Sequence, residues 1–259
     1  MFTAALIQSC MFPHNLDGNL KHYEKLLSEN IHGEVDLIVL PEVFNCGFSP
    51  DIFEITRHDN GRSVEFLKEV SVRYNCAVAA TLPVFEHNVL YNRLLWVSSS
   101  EIVAYYDKFH LFMGEEKYFS RGGRRTVVEH SGYRFLPLIC FDVRFPEWCK
   151  NSITDGMFGY DCIVLPTNFP SRRIDELKVL ACARAVENQC YVLVTNRTGR
   201  DGFGTEYCGG TFVADPHGRI VAKLPPHEEG VMVHNCDFDY LKVLRKEFPV
   251  SEYWRQNQV

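Results

Sequence analysis

The chain has 259 residues, of which 46% are hydrophobic and 23% are charged, a composition typical of a soluble globular protein. Its 33 acidic residues outnumber its 27 lysines and arginines, for a net charge of -6, which disfavours a nucleic-acid partner because the phosphate backbone is itself negative. No run approaches the roughly 20 apolar residues needed to cross a bilayer, so we expect no membrane partner.

Apolar runs that predict buried strands alternate with amphipathic segments that predict helices. One helix is predicted after an N-cap at Asp17, a second after Ser63, and a third from Ile174 to Ala185. A closing helix with an aromatic tail is predicted for residues 239–254. Branched and aromatic residues indicate strands at 3–9, 36–40, 77–84, 93–99, 102–107, 133–140, 161–166 and 191–196, with further strands within 208–236.

This succession predicts an α/β fold in which helices cover a mixed β-sheet. The chain contains no linker rich in Ser or Gly, and we therefore expect a single domain over residues 1–259. Its first residues, MFTAALIQS, lack a basic leader and are interpreted as a strand rather than as a secretory signal. We expect the mature chain to begin at Met1.

Ten cysteines make disulfides and metal sites the first alternatives to consider. No Cys-x-x-Cys pair is present, which argues against a zinc knuckle or a thioredoxin-like pair. Cys76, Cys162 and Cys190 fall in apolar stretches, where a free thiol behaves as a small core residue. We therefore expect no metal and a reducing, cytoplasmic location.

Three reactive side chains lie just past the ends of predicted strands. Glu42 follows DLIVLP, Lys108 follows IVAYYD, and Cys140 ends YRFLPLIC. Because open α/β sheets place their ligand sites at the carboxyl ends of strands, we expect these side chains to converge. Taken singly, each also fits an ordinary position: a loop carboxylate, a surface lysine or a buried thiol.

Cys140 is the candidate nucleophile. It stands where a strand meets a helix that Pro146 and Glu147 begin, and the positive end of a helix or a nearby cation lowers the pKa of a thiol. None of the ten histidines lies in a papain-like or caspase-like signature. Glu42, with apolar neighbours in sequence, is the candidate base, and Lys108 is the candidate cation for an oxyanion.

The segments around these residues resemble the glutamate, lysine and cysteine motifs of the nitrilase (carbon-nitrogen hydrolase) superfamily. They are LPEVFNCGF around Glu42, YDKFHLF around Lys108 and LICFDVRFPEW around Cys140. The likeness extends through ARAVENQCYV and YCGGTFVADPHGRIVA, which lie later in the chain. Within the superfamily the sequence is most similar to the omega-amidase branch, which removes ammonia from the terminal amide of 2-oxoglutaramate or 2-oxosuccinamate.

The resemblance implies an αββα sandwich, commonly assembled as a homodimer, that hydrolyses a small-molecule amide through a thioester. Cys140 is then expected to attack the amide carbon while Glu42 transfers the protons. Lys108 and the backbone N–H of Phe141 are expected to hold the oxyanion. This scheme needs no metal and no organic cofactor.

The superfamily also uses a second glutamate in the loop that follows the lysine. The matching position in MGEEKYFSRGG is Glu115 rather than Glu116, counting back from Gly122. Glu115 is expected to hold Lys108 in place or to position substrate and water. The alternative for this glutamate is a place in an exposed acidic loop.

A substrate carboxylate is best bound by an arginine, whose planar guanidinium matches it. Arg172 and Arg173 follow TNFP, a segment whose family counterpart lines the pocket, with Asn168 and Phe169 as walls. Arg173 is our candidate for the carboxylate, although exposure to solvent is the ordinary state of either arginine. Arg144 is expected to pair with an acidic residue and to brace the turn that carries the nucleophile.

Several alternative functions remain open. A nitrilase, an N-carbamoyl hydrolase or an aliphatic amidase would use the same Glu42, Lys108 and Cys140. A non-catalytic dimeric interaction protein would need only the scaffold, and the retention of every reactive group argues against it. A redox role for Cys140, with Cys149 as the resolving thiol, is the last alternative.

Overall fold

Two six-stranded sheets form the centre of the computed structural model, which describes residues 1–254. The helices are α1 (Leu16–Asn30), α2 (Ile52–Asp59), α3 (Arg62–Tyr74), α4 (Pro146–Cys149), α5 (Ile174–Asn188) and α6 (Phe238–Glu247). The strands are β1 (Phe2–Gln8), β2 (Leu37–Val39), β3 (Ala77–Glu86), β4 (Val89–Ser98), β5 (Glu101–Asp107), β6 (Val128–His130), β7 (Tyr133–Pro137), β8 (Ile153–Thr154), β9 (Met157–Phe158), β10 (Cys162–Pro166), β11 (Tyr191–Thr195), β12 (Thr198–Arg200), β13 (Glu206–Cys208), β14 (Phe212–Ala214), β15 (Ile220–Lys223) and β16 (Gly230–Cys236).

The first sheet has the strand order β16-β1-β2-β3-β4-β5. Successive side chains of a strand point to opposite faces, and in β1 both faces are apolar. Leu6 belongs to the core between the sheets, whereas Ile7 packs in a second apolar cluster with Leu27 of α1 and Leu67 of α3. Helices α1 and α3 therefore cover the outer face of this sheet.

The second sheet has the order β15-β14-β11-β10-β7-β6. Its inner face meets the first sheet, and the rings of Phe135 on β7 and Trp96 on β4 lie 5.2 Å apart between centroids. Leu177 and Ala181 of α5 belong to the same apolar core. The layers run helix, sheet, sheet, helix, which confirms the predicted αββα sandwich.

Most predicted elements are present, with shifted ends. The strand predicted at 133–140 ends at Pro137, because the chain turns into a 3-10 helix at Cys140. The predicted N-cap at Asp17 is wrong: helix α1 is capped by Asn15, whose Oδ1 accepts the N–H of Gly18 at 2.9 Å. Within residues 1–254, no helix combines the length and the apolar character that crossing a membrane requires.

Candidate active site

Glu42 lies between the two sheets, just past the end of β2. Its backbone N–H donates to the carbonyl of Thr167, which follows β10, at 3.4 Å. The next residue, Val43, has a φ of +51° and donates its N–H to Thr81 Oγ1 of β3 at 2.6 Å. A left-handed conformation is strained for a β-branched residue, so these hydrogen bonds maintain the turn that buries the Glu42 carboxylate completely.

Lys108 follows β5 and brings its ammonium group into the same space. Its Nζ lies 2.8 Å from Glu42 Oε1 and 2.9 Å from Glu115, and its side chain is fully buried. Glu115 begins a short 3-10 helix after this lysine and accepts the N–H of Phe112 at 3.0 Å. The neighbouring Glu116 accepts a backbone N–H of its own loop instead. Glu115 is therefore the glutamate that contacts the lysine.

Cys140 stands at a sharp turn after β7, where its φ is +46°. This left-handed conformation costs energy for any residue other than glycine, and it directs the chain from the strand into the 3-10 helix Cys140–Arg144. Pro146 then begins α4, as the sequence predicts. Cys140 therefore lies at the start of a tight 3-10 turn and not at the start of α4 itself.

Asp142 fixes the turn that carries Cys140. Its Oδ2 accepts the N–H of Ile139 at 3.0 Å and the hydroxyl of Tyr106 at 2.7 Å. Its Oδ1 accepts the N–H of His110 at 3.0 Å, two residues past the lysine. One fully buried carboxylate thus joins the turn of the candidate nucleophile to the loop of the candidate cation.

The charges of this cluster act on one another because little water reaches them. Burial, and then the Glu42 carboxylate, raise the pKa of the Cys140 thiol well above its ordinary value, and Lys108 offsets only part of this. Burial opposes the charge of Lys108, but the Glu115 and Glu42 carboxylates outweigh it and raise the pKa of the lysine. Burial raises the pKa of Glu115 to about 7.

The raised pKa of the Cys140 thiol corrects one expectation from the sequence. The lowered thiol pKa expected for Cys140 from a helix end is not found, because the 3-10 turn is short and the sulfur is buried. The thiol is therefore protonated at rest. A base beside the sulfur must take its proton during an attack on carbon.

A cavity of about 300 Å³ opens beside Cys140. The predicted pocket residues Phe141, Asn168, Phe169 and Arg173 all line it. Its walls are largely aromatic, and its cationic lining also includes Arg144, Lys117 and Arg172. An apolar cavity with cations at its wall suits a small acyl group that carries an anion.

The arginines of this cavity differ in their partners. Arg144 forms an ion pair with Glu176 of α5 and lies over the rings of Phe141 and Phe169, at 5.8 and 5.9 Å from their centroids. The Nη1 of Arg173 lies 4.0 Å from the same glutamate. Arg144 thus has the acidic partner that the sequence predicts for it, while Arg173 has a more distant one.

A sequence profile of carbon-nitrogen hydrolases matches residues 3–246. The chain belongs to the carbon-nitrogen hydrolase family. Among the relatives of this carbon-nitrogen hydrolase, omega-amidase YafV of Escherichia coli K12 is 34% identical over 238 residues, which are 90% of each chain. The 2-oxoglutaramate amidase of Bacillus subtilis is 31% identical over 92% of each chain.

Solved structures agree with this assignment. The carbon-nitrogen hydrolase superfamily protein XC1258 of Xanthomonas campestris, which carries an arsenic adduct in its active site, has a TM-score of 0.94 at 30% identity, over 100% of this chain and 98% of that one. A glutamate-to-glutamine mutant of the amidase of Nesterenkonia sp. AN1, in which acrylamide has added to the active-site cysteine, has a TM-score of 0.81 at 25% identity, over 98% of this chain and 100% of that one. Our carbon-nitrogen hydrolase is therefore an enzyme that acts on carbon–nitrogen bonds, an amidase.

Sequence reasoning missed two polar residues of this carbon-nitrogen hydrolase, one that contacts a candidate catalytic group and one that supports the turn carrying Cys140. Asn92 on β4 donates from its Nδ2 to Glu42 Oε1 at 2.8 Å. Asp142 holds the Cys140 turn, as described above. A signal was available for Asn92, because an amide inside the apolar stretch VLYNRLLWV needs a buried partner.

The remaining cysteines and acidic groups are described by their partners. All ten cysteines are free, and Cys149 is buried with its Sγ donating to the carbonyl of Asp142 at 3.5 Å. Across residues 1–254, no cluster of three or more His, Cys, Asp or Glu side chains is arranged to hold a metal ion.

Proposed function

We propose that this enzyme is a cysteine-dependent omega-amidase. Its substrates are the terminal amides of small 2-oxo dicarboxylic acids, such as 2-oxoglutaramate, and it releases ammonia through a thioester intermediate. One observation carries the proposal: the Cys140 thiol faces a cavity with cationic walls, and the charges of Glu42, Lys108 and Glu115 all act on that thiol. The relatives named as omega-amidase and 2-oxoglutaramate amidase support this substrate class.

In the first half of the proposed reaction, the sulfur of Cys140 bonds to the amide carbon as its proton passes to the Glu42 carboxylate. The carbonyl oxygen becomes an oxyanion, stabilised by the Lys108 ammonium and the backbone N–H of Phe141. Amides in the first turn of a helix have no partner within the helix, so this N–H suits the role. The C–N bond then breaks, and Glu42 returns the proton to the leaving nitrogen, which departs as ammonia.

In the second half, Glu42 takes a proton from water while the water oxygen attacks the thioester carbon. The C–S bond breaks, the carboxylic acid leaves, and Cys140 recovers its proton from Glu42. Lys108 stabilises the second oxyanion as it did the first. Glu115 holds Lys108 in position during both steps, since its carboxylate lies 2.9 Å from the Nζ.

Arg173 is the proposed partner of the substrate carboxylate. Its side chain lines the cavity with Asn168 and Phe169, and its guanidinium lies over the ring of Phe112 at 5.6 Å from the centroid. Arg144 is less available, because Glu176 already neutralises it. A substrate whose amide reaches Cys140 then extends its carboxylate toward Arg173.

We further propose that residues 1–259 form a single domain that assembles as a homodimer in the cytoplasm. The homodimer is proposed from the family resemblance; the outward side of α5 carries two exposed valines, Val179 and Val186, at 69% and 51% exposure. A reducing compartment keeps the Cys140 thiol from being oxidised. Light scattering with the purified chain tests the homodimer, and fractionation of cells tests the cytoplasmic location.

The central test is ammonia release from 2-oxoglutaramate by purified variants. Cys140→Ala is expected to abolish turnover, whereas Cys182→Ala, which removes a half-buried thiol on α5, is the matched control that keeps it. Acid quenching of the wild type during turnover is expected to leave an acyl group on the Cys140 peptide, detected by mass spectrometry. Unchanged ammonia release by Cys140→Ala would remove the assignment.

A substrate panel separates the proposal from the related activities. The panel contains 2-oxoglutaramate, a simple nitrile, an N-carbamoyl amino acid and an uncharged aliphatic amide. We expect the highest kcat/KM for 2-oxoglutaramate. A higher value for any other member would replace the omega-amidase assignment with the corresponding activity.

A further inference from the structure

Asn92 contacts two of the candidate catalytic residues from a single position on β4. Its side-chain Nδ2 donates to Glu42 Oε1 at 2.8 Å, and its backbone carbonyl accepts the N–H of Lys108 at 2.9 Å. The residue is fully buried. Neither contact reaches the cavity, so any effect of Asn92 on the reaction passes through the base and the lysine.

The second polar atom of this side chain is unsatisfied. Among residues 1–254, Asn92 Oδ1 has no hydrogen-bond partner. A buried oxygen without a partner is costly. The hydrogen bond from Nδ2 to Glu42 is the side-chain contact that Asn92 makes in spite of this cost.

The hydrogen bonds of the Glu42 carboxylate are divided unequally. Oε1 accepts two, from Asn92 and from Lys108 Nζ, and both are 2.8 Å long. Oε2 accepts one, from the backbone N–H of Asn168, also at 2.8 Å. Each carboxylate oxygen has two lone pairs, so Oε1 is saturated and Oε2 keeps one lone pair free.

We propose that Asn92 is a positioning residue for the general base: its amide saturates Glu42 Oε1 and fixes the carboxylate so that the free lone pair of Oε2 receives the proton of Cys140. The inference rests on the proposed role of Glu42 as that base. Without Asn92, the carboxylate loses one of the three hydrogen bonds that orient it, and Oε2 is held less firmly toward the thiol. The proton of the thiol is then taken less efficiently.

Four other titratable groups act on Glu42. They are the Lys108 ammonium, the Glu115 carboxylate, the Cys140 thiol and the Tyr207 hydroxyl. Removing the Asn92 donor leaves these four in place and removes only one hydrogen bond to the Glu42 carboxylate. The variant therefore tests the orientation of Glu42 and not a change in its charged neighbours.

The experiment compares Asn92→Leu with Asn45→Leu. Asn45 is the matched control, because it is also buried, also has an unpaired Oδ1, and donates from Nδ2 to Ser63 Oγ at 3.0 Å. Two readouts are taken: turnover of 2-oxoglutaramate, and the rate of Cys140 alkylation by iodoacetamide, mapped by peptide mass spectrometry. The alkylation readout needs no substrate.

We expect Asn92→Leu to lower kcat by about 10²-fold, as misplacement of a catalytic group does, with KM unchanged and slower alkylation of Cys140. Asn92→Asp, of the same shape but with a second carboxylate, tests the role if the leucine variant does not fold, and is expected to be slower still at neutral pH. Asn45→Leu is expected to keep the wild-type kcat and the wild-type rate of Cys140 alkylation.

Wild-type kcat and wild-type alkylation rates in both Asn92 variants would overturn the inference and leave Asn92 a structural residue. The proposed function fails separately. If the wild type releases no ammonia from any amide of the panel, while Cys140 alkylation still depends on Asn92, the substrate assignment is lost and the positioning role stands.

Discussion

Replacing Lys108 with methionine tests the electrostatics of the cluster, because methionine keeps the length of the side chain and removes its charge. Lys108 Nζ lies 2.8 Å from Glu42 and 2.9 Å from Glu115, and the side chains of the lysine and of Glu42 are fully buried. The variant leaves two carboxylates facing each other without a counterion. It is expected to be less stable as well as inactive.

The size of the stability loss in Lys108→Met follows from the burial of the lysine. Removing one partner of a buried ion pair costs about 3–5 kcal/mol, and each kcal/mol lowers Tm by roughly 2–4 °C in a protein of this size. We therefore expect a Tm about 6–20 °C below the wild type near neutral pH. Loss of the group proposed to stabilise the oxyanion is expected to lower kcat by about 10²–10³-fold.

The difference in Tm between the wild type and Lys108→Met is expected to increase with pH. Burial already raises the pKa of Glu115 from its ordinary 4.5 to about 7, and Lys108 lowers it, so the variant raises it further. A carboxyl whose pKa is raised in the folded state costs stability as pH rises from its unfolded pKa to its folded pKa, and costs no more above that. The wild type therefore stops losing stability from Glu115 at about pH 7, whereas Lys108→Met continues to lose it, so the Tm deficit of the variant should be larger near pH 8 than near pH 5.

Thermal unfolding of the wild type and of Lys108→Met across this pH range measures the effect. The double variant Lys108→Met, Glu115→Gln removes one of the two facing carboxylates and is expected to recover part of the Tm at pH 8. A Tm deficit that is equal at pH 5 and pH 8, or one that the double variant does not reduce, would refute the reasoning.

Two further predictions concern neighbouring side chains. The ionised Glu115 carboxylate accepts a hydrogen bond from the Lys108 ammonium, and the pKa of Glu115 is raised to about 7. The kcat/KM of the wild type should therefore rise with pH through about 7. This rise should be missing from the pH–rate profile of Glu115→Gln, and a rise that persists in the variant would be assigned to another group. Arg173→Ala should raise the KM for 2-oxoglutaramate about 10–100-fold, because a charged hydrogen bond to the substrate carboxylate is lost. The KM for an uncharged amide of equal length should not change. An unchanged KM for 2-oxoglutaramate would mean that another residue binds the carboxylate.

The apolar runs of the sequence located most strands but could not divide them between sheets. Leu6 and Ile7 of β1 are both apolar because each face of the sheet is covered, one by the other sheet and one by helices. A strand buried on both faces has no alternation, so its pattern is the same in either sheet. Only the family resemblance predicted two sheets.

The candidate residues that follow strands could be predicted from the sequence. The properties that depend on burial and on distant partners could not. Glu42, Lys108 and Cys140 were found from their place at strand ends. The state of the Cys140 thiol was not, because its pKa depends on burial and on Glu42, which is distant in sequence. Asp142 was missed for the same reason, since its partner His110 lies 32 residues away.

The raised pKa of Cys140 has a consequence for how the proposed chemistry works without a histidine. With a protonated thiol, the pair formed by Lys108 and the Glu42 carboxylate is neutral overall. Transfer of the thiol proton to Glu42 moves the negative charge to sulfur and then to the substrate oxygen, while the ammonium stays within the same cluster. The net charge of the buried site is unchanged at each step, so the reaction avoids the desolvation cost of creating a new charge in a dry cavity. A histidine base would instead become a second cation beside Lys108, and the two positive charges would repel each other at short range.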